Sequence, residues 1–131
     1  VRPHSPRDDR GSAELVVATP LLLLLVMLVI QAAVWVHGDQ VATSVAQRAI
    51  DAARTAEPTD AQAYAEAVAD ELGGSLLAER SIVIERGATT TRVVVSAEVP
   101  TIIPGMTWPV RHELSAPVER FVPPTPAEAA P

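Results

Sequence analysis

The sequence predicts an α+β fold: a long N-terminal transmembrane helix continuing into a small extracytoplasmic domain with a second helix and a three-stranded antiparallel sheet. Three observations carry this. Leu15 to Val36 runs without a single charged residue. Apolar residues then recur at three- and four-residue steps as far as Leu72, the period of helices with one buried face. Beyond Gly73-Gly74 the period changes, and β-branched residues gather in three runs separated by Gly and Pro.

Residues 1–11 form a polar leader in this reading, with Arg2, Arg7, Arg10, Pro3 and Pro6 and neither helical nor strand periodicity. Residues 12–37 are assigned to the transmembrane helix. At about 1.5 Å per residue the uncharged run covers roughly 33 Å, against about 30 Å of bilayer hydrocarbon. A cleaved secretory signal would have an apolar region of about 7 to 15 residues ending in small residues of the A-x-A kind. Nothing after Ile30 fits that pattern well, so a retained span is expected. Arg2, Arg7 and Arg10 precede the span and the first Arg beyond it is Arg48. Basic residues stay on the cytoplasmic side, which predicts an N-terminus inside and the rest of the chain outside. Pro20 removes one backbone donor and is expected to kink the first turns. Trp35 stands where a ring would meet the far headgroup layer, or else it packs as an ordinary helix residue.

Residues 38–121 are read as the extracytoplasmic domain. Val41, Ala42, Val45, Ala46, Ala49, Ile50 and Ala53 form one stripe, so a single helix is expected from about Ser12 to about Ala56. Glu57-Pro58 ends it. A second helix is expected with Thr59 as N-cap and Gln62 at capping-box spacing, burying Ala61, Tyr64, Ala65, Val68, Ala69 and Leu72. Strands are expected at 81–85, 89–99 and 107–118, with the extended helix packed on the sheet through Val41, Val45 and Ala49. The Pro- and Ala-rich tail, 122–131, has almost nothing to bury and is read as disordered.

At 131 residues the chain has room for one modest domain plus an anchor. A net charge of −6 and the lack of a basic stripe argue against a nucleic-acid partner. With no Cys, neither disulfides nor thiolate chemistry is available. The absence of Lys and Asn beside abundant Ala suggests high-GC bacterial coding.

The stretch Arg10-Gly11-Ser12-Ala13-Glu14, followed by an apolar run with Pro20 and a leucine block, resembles the start of TadE-like proteins, the pilin-like components of tight-adherence pili. The resemblance covers roughly residues 10 to 56. It implies a single-pass subunit or minor pilin of the inner or plasma membrane, in a pilus-assembly or secretion system. Its apolar helix would pack against other pilin-like subunits. It also implies processing by a prepilin peptidase, with cleavage after Gly11 or Ser12 as the candidates, and assembly roles for Glu14 and Pro20. In pilin-like precursors the Glu falls five residues beyond the cut, whereas Glu14 lies three beyond Gly11.

Each of these residues also has a plainer reading. Glu14, just after a possible Ser12 N-cap, would gain about 0.3 to 1 kcal/mol from the helix dipole with no partner at all. Gln31 either hydrogen-bonds another helix or bonds its own backbone, and the inert reading is preferred. The loop Ile102 to Met106, with Trp108, is apolar enough for a contact patch, though folding over the sheet as ordinary core is preferred. His4, His37 and His112 show no paired spacing, so no metal and no cofactor is expected. No nucleophile elbow accompanies the Ser, His and Asp residues, so no catalytic residues and no enzyme activity are expected. The alternatives to a pilus subunit are a membrane-anchored extracytoplasmic binding or adaptor protein unrelated to pili, and a secreted enzyme released from a signal peptide.

Overall fold

The computed structural model describes residues 7–120. Helix α1 spans Arg7–Thr55 and α2 spans Pro58–Leu72; a 3-10 turn at Gly74–Leu76 leads to β1 (Ala78–Arg86), β2 (Thr90–Val99) and β3 (Trp108–Pro117). The sheet is antiparallel throughout in the order β1-β2-β3. Both helices cover one face of it, as expected of an α+β domain.

Register decides which residues face the helices. Ile82 pairs with Val95 and Val95 with His112; Ile84 pairs with Val93 and Val93 with Leu114. Along β2, Thr91, Val93, Val95, Ala97 and Val99 are all buried, while Arg92 between them is exposed. On the solvent face Arg92 lies 2.6 Å from Glu113 and 4.0 Å from Glu85, an ion ladder across all three strands. Opposite β2, α1 contributes Ala42, Val45, Ala46, Ala49 and Ala53, and α2 contributes Ala61, Ala65, Val68 and Ala69, to one continuous core. With so many alanines the backbones must approach closely, since there is little side chain to bridge a wider gap.

Several elements depart from the sequence reading. The helix begins at Arg7, not Ser12, so Arg7 to Gly11 are helical. Gly11 alone costs about 1 kcal/mol in a helix, and propagation from the long run behind it outweighs that. Residues 1–6 of the leader and the tail from 121 lie outside the described residues. Thr59 does not cap α2: Glu57 occupies the N-cap position with no side-chain cap bond, and Pro58 opens the helix. Proline suits that first position because it has no N–H to satisfy and sets its φ in advance. Gln62 instead donates to the Ile82 carbonyl at 2.8 Å and to Glu66 Oε1 at 3.3 Å, tying α2 to β1. Tyr64 is 47% exposed rather than buried. It lies about 60° around the helix from Ala61, at the margin of the buried face. Gly73 and Gly74 end α2 as expected, and Gly74 takes the left-handed φ of +48° that favours glycine.

Polar contacts close the ends of the domain. Arg86 donates to the Ala56 carbonyl just past α1, and Arg80 pairs with Asp70 and Glu66 of α2. The bond to Asp70 holds the Arg80 pKa above its ordinary value against the opposing effect of burial, with Glu66 adding to it.

Gly38 is the contact point between α1 and the end of β2. A Cβ there would stand 2.5 Å from Val99 Cγ2, with the short branched Val99 side chain itself buried. Gly38→Leu gains about 1 kcal/mol of helix propensity but forces the helix off the sheet, and overpacking of this kind costs about 1–3 kcal/mol or more. The expected result is a lower urea midpoint for the full chain in detergent, whereas Gly11→Leu, with nothing within 4 Å, does not lower it.

Candidate functional site

From Arg10 to Ile30 every residue of α1 is exposed. The Leu, Val, Met and Ile side chains from Leu15 to Ile30 are between 41 and 73% exposed. So large an apolar surface marks a site of interaction with protein or membrane, and this helix is long and apolar enough to cross a bilayer. From Arg10 onward, the first buried residue of α1 is Gln31.

Gln31 is 1% exposed. Its Nε2 donates to the Pro100 carbonyl at 3.1 Å, and its Oε1 accepts from the Ile102 amide at 2.9 Å. A carboxamide carries donor and acceptor side by side, so one side chain satisfies two backbone groups of the loop between β2 and β3. This is neither the helix partner nor the backbone bond weighed from sequence. Within the loop the Ile103 amide donates to Thr101 Oγ1 at 3.0 Å, and the Met106 amide to the Ile103 carbonyl at 3.4 Å. Ile102, Ile103, Pro104 and Met106 then face Pro20, Leu23, Leu24, Met27 and Leu28 across an apolar groove of about 510 Å³.

The loop therefore lies along α1 and does not fold over the sheet as core; Ile102 and Met106 remain 49 and 46% exposed. The inner face of the sheet is already filled by the two helices, and a proline has no N–H to donate within a central strand such as β2, so the chain leaves the sheet at Pro100. Trp35 is partly buried against the core, with Nε1 directed at the Pro109 carbonyl at 3.4 Å, so it packs as a helix residue.

A second polar cluster joins α1 to β3. His112 Nε2 lies 2.8 Å from Asp39 Oδ1 and 3.2 Å from Thr43 Oγ1, and Thr43 Oγ1 donates to the Asp39 carbonyl at 2.9 Å. Both side-chain partners meet the same ring nitrogen. A hydrolytic relay uses one nitrogen to take the proton and the other to orient the ring, so this geometry suits a clamp. His37 is exposed on α1, away from the cluster, and His4 lies outside the described residues.

Residues 11–56 match a family model described as TadE-like protein. This segment is similar to TadE-like proteins. No curated protein and no solved structure matches the chain.

The TadE-like segment coincides with α1 from Gly11 to its end and stops before α2 and the sheet. It carries all four residues singled out from sequence: Gly11, Ser12, Glu14 and Pro20 are exposed and helical. At about 100° per residue Gly11 and Glu14 share one side of the helix, while Pro20 is turned about 120° from Glu14. The fold thus brings Pro20 to the groove and leaves Gly11 and Glu14 apart from it. Because α1 begins at Arg7, Glu14 stands in the third turn, beyond the first-turn reach of the helix dipole. The Ser12 cap does not form. Gln31 is the member of the TadE-like segment that sequence reasoning undervalued; the signal for it was a lone amide in an uncharged run together with an apolar, proline-bounded loop.

Proposed function

We propose that this chain is a single-pass subunit of tight-adherence pilus assembly, a minor pilin or assembly factor, and that it catalyses no reaction itself. The observation that carries the reading is that the TadE-like match takes in a helical stretch, Leu15 to Ile30, that is exposed and apolar on every side. In this reading α1 crosses the inner or plasma membrane with its N-terminus inside, and the domain from residue 38 onward lies outside. Its partners are the lipid and the apolar helices of other pilin-like subunits. The compact polar sheet face and the clamp geometry at His112 support a structural role.

Gly11 and Glu14 supply the test. A side chain at Gly11 would meet nothing within 4 Å, so packing does not require glycine there and recognition by a prepilin peptidase is a separate reason for it. Cleavage after Gly11 would leave a helix starting at Ser12, with Glu14 in its first turn and close to a new amine. The expected result is a mature chain lighter by the leader and a Gly11→Val chain of full length, read by mass spectrometry of the membrane fraction. Glu14→Gln keeps size and most hydrogen bonding while deleting the charge. It should insert normally and co-purify with fewer pilin-like partners than wild type at equal membrane abundance. Equal recovery removes Glu14 from assembly, and a wild-type chain left uncut removes Gly11 from processing.

A further inference from the structure

Among the described residues the loop 100–107 is an apolar element of the domain that stands outside the core, and its position along α1 gives it a use. The outer end of the uncharged run is Val36, and Gln31 lies about 7 to 8 Å before it at helical rise. The points where the loop is pinned are therefore already within the apolar layer, and the groove lined by Ile102, Ile103, Pro104 and Met106 extends from there toward Pro20. Irregular backbone at membrane depth is stable only when its polar groups are satisfied from within the protein. This loop meets that demand for three of its amides. Gln31 takes the Pro100 carbonyl and the Ile102 amide, Thr101 takes the Ile103 amide, and Ile103 takes the Met106 amide. Pro100 and Pro104 carry no N–H to satisfy. No charged residue occurs between Glu98 and Arg111, so nothing in the segment resists transfer into hydrocarbon.

We infer that residues 100–106 form a second membrane-inserted element, dipping into the leaflet on the side of the domain, with lipid acyl chains filling the groove between the loop and α1. The inference rests on the membrane reading of α1 given above. Two points of insertion, the helix and the loop, fix the tilt and rotation of the domain on the bilayer, which one helix alone does not. Lipid is favoured over a partner helix as the occupant because the groove is continuous with the bare apolar surface of the span on both sides.

The natural chain has no Cys, so single-cysteine variants of the full chain report without background. Met106→Cys, Leu23→Cys and Val83→Cys would each carry an environment-sensitive fluorophore in vesicles of phosphatidylethanolamine and phosphatidylglycerol, with a lipid spin-labelled on its acyl chain as quencher. The expected result is loss of fluorescence at Met106→Cys comparable to that at Leu23→Cys, and little loss at Val83→Cys on the solvent face of the sheet. Quenching at Leu23→Cys without quenching at Met106→Cys would overturn the loop insertion and leave the span intact. If that unquenched site also resisted a water-soluble maleimide, the occupant would be protein and the lipid assignment would fall. Absence of quenching at Leu23→Cys would overturn the span itself, and the loop with it.

Discussion

Val95→Asp should unfold the domain, while Val94→Asp one residue away should not. Val95 is fully buried, paired between Ile82 and His112 on the face that meets the helices. A carboxylate there would find beside it only His112, whose Nε2 is already engaged by Asp39 and Thr43, so it either stays ionised and poorly paired or is protonated at the expense of a raised pKa; uncompensated buried charge costs about 3–5 kcal/mol in proteins. A small domain has about 5–15 kcal/mol in total, so most of its stability is at stake. Val94 faces the other way, between Val83 and Glu113 on the ion-paired solvent side, and is only partly buried. Urea unfolding of the detergent-solubilised full chain, followed by circular dichroism, checks both. The reverse order of effects would mean that the register is shifted by one residue, since such a shift exchanges the faces of the strand.

Gln31→Leu should release the loop from α1 while leaving the sheet folded. Leucine fills nearly the same space but neither donates nor accepts. The Pro100 carbonyl and the Ile102 amide would then lose their partners in an apolar setting, at about 1–3 kcal/mol for each group. The chain escapes that cost by detaching the loop to reach polar surroundings. The expected observation is loss of hydrogen-exchange protection at the Ile102 amide, with protection in β2 retained, in micelles or vesicles. Gln40→Leu, an exposed position a few turns further along the same helix, should change neither. Retained protection at Ile102 in Gln31→Leu would show that apolar contact with Leu28 and Met27, not the amide, holds the loop.

The elements with strong periodicity were legible before any coordinates. The stripe through Val45, Ala49 and Ala53 and the alternation through Val93, Val95 and Ala97 each match one geometric repeat, and one repeat names one buried face. Errors fell where short-range signals compete. Thr59 and Gln62 have the spacing of a capping box, but Pro58 took the first helical position and Gln62 found a strand carbonyl twenty residues away. Ser12 looked like a cap because Gly11 looked like a boundary, whereas the helix ran through both. The candidate residues Gly11, Ser12, Glu14 and Pro20 could be named from their order in the chain. Their separation around the helix, and the distance of Glu14 from the helix start, could not.

By itself the sequence determined the α+β composition, the apolar span, the stripe that packs on the sheet and the similarity of α1 to TadE-like proteins, because each is local in the chain or repeats with a fixed period. Only the tertiary structure decided what Gln31 and the loop 100–107 do. Their hydrogen bonds join residues about seventy positions apart, and no periodicity within either segment encodes that partner. Gly38 belongs with them. Its use depends on the place where Val99 of β2 arrives against the helix, a fact of packing that a single glycine in a helical run does not disclose.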